Sequence, residues 1–193
     1  FEPGLLDAVT DRLESHIVAD QVELVDASPH FGLLSLQGPK TADTLKVLGL
    51  ALPGEPFAHS KTTFDDLGEV YVMNNGRYGT TGCDLYIPTA NLAKAAEHLA
   101  KAVAEQGGRL VGWQATEIAR VEAGIPRFGI DMDGNTLPPE AGLDTRAISY
   151  TKGCYIGQEI IARIRTYGRV NRTLVGYRLD ADLAKTAIPG TKL

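Results

Sequence analysis

Leu5, Leu6, Val9, Leu13 and Ile17 recur at three- and four-residue spacing, the stripe of an amphipathic helix with one buried face. Val22 to Val25 and Phe31 to Leu36 read as strands parted by the turn-like Ser28-Pro29. Gln37-Gly38-Pro39 stops the second of these, and Pro39 opens a helix running to Leu48 with Ala42, Leu45 and Leu48 on one face. Glu69 to Met73 and Leu85 to Ile87 are two more strands, joined as a hairpin by the polar, glycine-bearing segment Asn74 to Gly82. From Asn91 to Gln106, Leu92, Ala95, Ala96, Leu99 and Val103 keep helical spacing until Gly107-Gly108 supplies the backbone that a helix stop prefers. Arg109 to Val111 reads as a strand, and Gln114 to Ala123 as a helix with Ile118 and Val121 inward that ends at Gly124-Ile125-Pro126. A long loop punctuated by glycine and proline follows. Ile156, Ile160, Ile161 and Ile164 then outline a short helix, and Thr173 to Leu179 alternates like a strand.

Across residues 31 to 111 the order is strand, helix, strand, strand, helix, strand. That is the split βαβ order of a ferredoxin-like unit, and it predicts an α+β fold in which an antiparallel sheet carries its helices on one face.

Composition narrows the class. With 193 residues, 44% of them hydrophobic, the chain can bury a sizeable core. No run approaches the roughly 18 consecutive apolar residues of a membrane span, so a soluble chain without membrane contact is expected. Cys83 and Cys154 are far apart and lack Cys or His neighbours at ligand spacing, so neither a disulfide framework nor a metal site is indicated. A reducing compartment follows, cytoplasmic or, in a eukaryote, the mitochondrial matrix. The net charge of −5 argues against nucleic-acid binding by the whole surface. Phe1 in place of Met, and an end at Leu193 with no closing element, suggest a piece of a longer protein.

Lys152-Gly153-Cys154-Tyr155-Ile156-Gly157-Gln158-Glu159 is the densest candidate for chemistry. A cysteine just before a helix feels the positive end of the helix dipole, and Lys152 adds a full charge, which favours the thiolate. The alternative is a buried, inert thiol. Arg163, Arg165, Arg169 and Arg172 follow at once, and their paired donors suit a polyanionic ligand tail or an RNA backbone; ordinary surface salt bridges are the alternative. Glu122, at the end of its helix, could hold a 2-amino-pyrimidinone edge through two parallel N–H donors, or else form an ion pair with Arg120 or Arg127. Arg77-Tyr78-Gly79-Thr80-Thr81-Gly82 is a glycine-bearing turn able to line a ligand site. Asp131 and Asp133 begin like a calcium loop whose later ligands do not follow.

With these residues in view, the chain resembles the YgfZ-type branch of the glycine-cleavage T-protein (aminomethyltransferase) superfamily. The matching segments are Val25-Asp26-Ala27-Ser28 with Leu36-Gln37-Gly38-Pro39, the Arg77-to-Gly82 turn, Arg120-Val121-Glu122-Ala123-Gly124-Ile125-Pro126, residues Asn135 to Leu143, and Lys152 to Glu159. The resemblance implies a three-domain disc around tetrahydrofolate. Residues 1–30 would be the remainder of a folate-binding domain, 31–112 a ferredoxin-like βαββαβ domain, 113–170 a return to the folate-binding domain, and 171–193 the start of a C-terminal β-barrel. It places Glu122 on the pterin and gives Cys154 a role in maintaining iron–sulfur enzymes, including those that modify tRNA. Tyr78, Arg127, Lys152, Tyr155, Gln158 and Arg163 are the further candidate folate contacts, and Arg163, Arg165, Arg169 and Arg172 the candidate nucleic-acid contacts. Two departures bear on activity. Where T-proteins carry an acidic pair this sequence has Cys83-Asp84, and where they generally lack cysteine it has Cys154. The T-protein's catalytic aspartate would lie before Phe1. The resemblance therefore implies a tetrahydrofolate-binding accessory protein, with a true aminomethyltransferase as the alternative.

Overall fold

Four strands build the sheet of the structure, a computed structural model that describes residues 4–64, 67–186, 188 and 190. The strands are β1 (Phe31–Gln37), β2 (His59–Thr63), β3 (Glu69–Asn74) and β4 (Gly82–Pro88). They lie in the order β1-β4-β3-β2 with every neighbouring pair antiparallel. Leu36, Val70, Val72, Cys83, Leu85 and Ile87 point to one face. There they meet Leu45 from α2 (Thr41–Val47) and Ala95 and Leu99 from α3 (Leu92–Glu105), all at most 8% exposed. Each fully buried aliphatic side chain in this cluster contributes about 1.5 to 3 kcal/mol. The register places Ser35, Asp84 and Met73 together on the opposite face.

The chain forms two compact units, Phe1–Ala123 and Gly124–Leu193. The first holds the sheet, α2, α3, α1 (Leu6–Glu14) and α4 (Trp113–Glu122). The second is built from short helices and turns: α5 (Asp144–Ala147), α6 (Gln158–Tyr167) and α7 (Ala181–Thr186), with a 3-10 turn at Pro138–Ala141. Formal charge divides unevenly, −8 on the first unit and +3 on the second.

The α+β class and the antiparallel sheet agree with the sequence reading, but the order of elements does not. From β1 to α3 the order is strand, helix, three strands, helix, and not the split βαβ order of a ferredoxin-like unit. β2 escaped notice because His59, Ser60 and Lys61 give it no apolar stripe; cross-strand pairing to β3, including a 2.7 Å Lys61–Glu69 ion pair, holds it in place. Residues 109–111 are not a strand, and Leu110 and Val111 are 82% and 63% exposed. Residues 22–25 and 173–179 are not strands either. A strand needs a partner edge for its backbone groups, and among the described residues the 173–179 segment has one backbone bond of that kind, from the Leu174 N–H to the Glu140 carbonyl at 2.8 Å. The expected inward face of α4 is also reversed. Ile118 and Val121 are 61% and 60% exposed while Arg120 is buried, because its guanidinium is held by Glu117 one turn earlier, with Nε and Nη2 donating at 3.0 and 2.9 Å.

Candidate functional site

The β3–β4 connection, residues 75–81, is fixed by a buried carboxylate. Asp84 is fully buried, and its two oxygens accept four hydrogen bonds. Oδ1 takes Ser35 Oγ at 2.8 Å and Arg77 Nε at 2.9 Å; Oδ2 takes Asn75 Nδ2 at 2.7 Å and Arg77 Nη2 at 2.6 Å. This is the two-pronged arginine–carboxylate geometry that fills an anion's lone pairs and removes the penalty of burying it. Hydrogen bonding to Asp84 raises the Arg77 guanidinium further above its usual range.

Gln37, the last residue of β1, completes the frame. Its Oε1 accepts the Arg77 N–H at 2.9 Å, and its Nε2 donates to the Asn75 carbonyl at 2.9 Å and to Ser35 Oγ at 3.0 Å. Gly82 permits this approach, since a Cβ there would fall 2.1 Å from Gln37 Oε1.

The turn so held carries Tyr78 to a groove of about 790 Å³. Leu34 and Gln37 of β1, Leu99 and Val103 of α3, and Ala119 of α4 line it with Tyr78. Next to Tyr78, Gly79 has φ +70, and a Cβ built on it would sit 3.4 Å from Ala123 Cβ. The turn therefore meets the C-terminal end of α4, whose last residue is the exposed Glu122. Gly124 at φ +67 stops that helix. Thus the structure brings together the Tyr78 turn and the end of the Glu122 helix, two candidates 44 positions apart in sequence. Arg120, one of the suggested ion-pair partners of Glu122, is engaged with Glu117.

In the second unit Lys152, Cys154, Tyr155 and Gln158 lie at the start of α6. Gly157, at φ +83, lets the chain turn into the helix. Gln158 Oε1 accepts the Tyr155 N–H at 3.1 Å, so Gln158 holds the turn that carries Cys154 and Tyr155. Lys152 Nζ lies 4.9 Å from the Tyr155 ring centroid, a cation–π contact. Cys154 is a free, exposed thiol, which rules out the buried alternative. Arg163, Arg165, Arg169 and Arg172 are all exposed. Arg165 stacks 4.0 Å from the Tyr150 ring centroid, and Arg172 Nε is 3.6 Å from Glu140 Oε1. The Arg127 N–H donates to Asp131 Oδ2 at 2.9 Å, and Asp133 Oδ1 caps Asn135 and Thr136, so both aspartates of the calcium-like start serve local turns.

Sequence reasoning named the Arg77-to-Gly82 turn but missed Gln37, Asn75 and Asp84 as its support. The available signal was a lone acid in an apolar strand, Cys83-Asp84-Leu85, with Asp84 six residues after Tyr78 and seven after Arg77.

The sequence matches the GCVT N-terminal domain over residues 4–152. It is 34% identical over 163 residues to an aminomethyltransferase of Symbiobacterium thermophilum, covering 82% of this chain and 43% of that protein. An aminomethyltransferase of Halothermothrix orenii is 31% identical over 160 residues, covering 82% and 44%. Among solved structures, glycine cleavage system aminomethyltransferase T from Bartonella henselae superposes with a TM-score of 0.59 at 26% identity, over 73% of this chain and 37% of that one. The chain thus spans less than half the length of these relatives. With the sheet, the buried Asp84 frame and the α4 end in place, the match over residues 4–152 identifies the chain as a member of the GCVT N-terminal domain family.

Proposed function

We propose that this chain carries tetrahydrofolate-binding surface, with Glu122 on the pterin and Tyr78 beside it. The observation that carries the reading is the approach of Gly79 to Ala123, which sets the Tyr78 turn against the end of α4. A carboxylate exposed at a helix end offers two oxygens to the paired N–H donors of a 2-amino-pyrimidinone. The resemblance alone adds Arg127, Lys152, Tyr155, Gln158 and Arg163 as proposed further folate contacts. In this reading residues 1–30 and 113–170 are folate-binding domain and 171–193 begin a β-barrel. Cys154 acts as an exposed, redox-active or cluster-handling thiol in a YgfZ-type accessory role, supporting iron–sulfur enzymes that include tRNA-modifying ones. Its support is the Lys152-to-Glu159 string and the thiol's exposure.

Calorimetry with tetrahydrofolate should show binding that Glu122→Ala weakens by about 1 to 3 kcal/mol, the scale of a lost charged hydrogen-bonding partner. Equal affinities for the two proteins would remove Glu122 from the site.

The relatives' name, aminomethyltransferase, favours a second reading: the alternative implied by the resemblance, transfer of a one-carbon unit from a lipoyl-linked aminomethyl group to tetrahydrofolate. There the protein would supply positioning and electrostatics around the cofactor. Formation of methylenetetrahydrofolate that survives Cys154→Ser supports this reading, and no turnover by the unsubstituted protein excludes it.

A further inference from the structure

We infer that Gln37 is a positioning residue for Tyr78: from the end of β1 it sets the conformation of the 75–81 turn and so the shape of the groove wall that a ligand meets. Both ends of the Gln37 amide are spent on the opposite strand connection, Oε1 on the Arg77 N–H at 2.9 Å and Nε2 on the Asn75 carbonyl at 2.9 Å. These are the backbone groups that flank Gly76, at the N-terminal shoulder of the turn, and Tyr78 follows Arg77 directly. Gln37 thus acts on main chain, and Tyr78 inherits the result.

The Asp84 frame does a different task. It anchors the side chains of Arg77, Asn75 and Ser35 to β4, which secures the base of the turn. Among the described residues, only Gln37 reaches across from β1 to the backbone on both sides of Gly76, and Gln37 and Tyr78 both line the groove. A side-chain amide is suited to this because one group donates and accepts at once. Leucine at position 37 would do neither. Glycine at 82 is the matching half of the device: any Cβ there occupies the space of the Gln37 carboxamide, 2.1 Å from Oε1 and 2.4 Å from Cδ. Gly82 has no positive φ, so alanine there meets no backbone objection and acts only by expelling Gln37.

This inference rests on the folate reading for its ligand but not for its first test. In the full chain, amide hydrogen exchange at Arg77, whose N–H Gln37 holds, should accelerate about five- to tenfold in Gln37→Leu and in Gly82→Ala, the scale of one lost hydrogen bond. Exchange in the middle of β3 and α3 should stay unchanged. Turn exchange that stays as slow as in the unsubstituted chain overturns the proposal, whatever the ligand.

The second arm measures tetrahydrofolate affinity in a cycle of Gln37→Leu, Tyr78→Ala and the double substitution. If Gln37 works through Tyr78, each single change weakens binding and the double variant binds no more weakly than Tyr78→Ala alone. Losses that add in full would mean that Gln37 acts on the ligand independently of Tyr78, and they sink the claim. Gln37→Glu, which still accepts from Arg77 N–H but cannot donate to Asn75, should fall between the unsubstituted chain and Gln37→Leu in both arms. A merely structural role would lower thermal stability without this ordering. Should the unsubstituted chain fail to bind tetrahydrofolate, the folate reading falls and the exchange arm alone decides the role of Gln37.

Discussion

Arg77→Ala should destabilise the first unit by about 3 to 5 kcal/mol, among the largest losses expected of a single substitution in this chain. The reason is asymmetry within the pair. The Asp84 side chain is 0% exposed and the Arg77 side chain 38%. Removing the arginine leaves a carboxylate inside the protein with only Ser35 Oγ and Asn75 Nδ2 for partners. Removing the acid instead leaves a guanidinium that can turn to water, so Asp84→Ala should cost less. Introducing Asp84→Asn into the Arg77→Ala background should restore part of the loss, because a neutral amide carries no burial penalty of that size. Denaturant dependence of exchange at the β3 and β4 core amides measures all three. A loss under about 1 kcal/mol for Arg77→Ala would mean that the charge is not confined as the geometry implies.

The alkaline limb of stability should be steepened by one thiol. Burial pushes Cys83 up to about 12 from the 9.0 of a free thiol, with the nearby Asp84 charge adding to it. The sign follows from which state ionises first. Below pH 9 the thiol is neutral in both states and its contribution is fully present. Between about 9 and 12 the unfolded chain gives up the proton and the folded one does not, so stability falls, by up to about 1.4 kcal/mol per pH unit. Cys83→Ala lacks this component, so its stability should decline less steeply from pH 9 to 10.5, although its value at pH 7 is lower because a core side chain has been shortened. Parallel slopes would refute the assignment. In the folded chain a thiol reagent at pH 8 should modify the exposed Cys154 and reach Cys83 only on unfolding.

The departure noted in the sequence, Cys83-Asp84 where T-proteins carry an acidic pair, falls on adjacent residues that face opposite sides of β4. Cys83 joins the apolar cluster and Asp84 the hydrogen-bonded frame. An acid at 83 would lie among Leu36, Leu85 and their neighbours, where this sequence places a side chain that can stay uncharged.

Local pattern by itself determined β1, β3, β4, α2, α3 and the existence of α4 and α6, because each has a strong period or a sharp glycine stop. The α3 stripe of Ala95, Leu99 and Val103 packs on the sheet as its spacing requires, and Gly107 and Gly108 close it through N–H bonds to Ala104 and Val103 carbonyls. Local pattern also singled out the Tyr78 turn, Glu122 and Cys154. Three things were decided elsewhere. Pairing across strands made His59–Thr63 a strand in spite of its polar residues, and the want of a partner kept 22–25, 109–111 and 173–179 from becoming strands, since ladder bonds belong to two segments and not to one. Neutralisation by Glu117 allowed Arg120 to occupy the inward side of α4 that periodicity had given to Ile118 and Val121. The Asp84 frame assembles residues from 35, 75, 77 and 84 around one buried charge. No spacing along the chain encodes that convergence, because burying a carboxylate is favourable only when donors from separate strands arrive together.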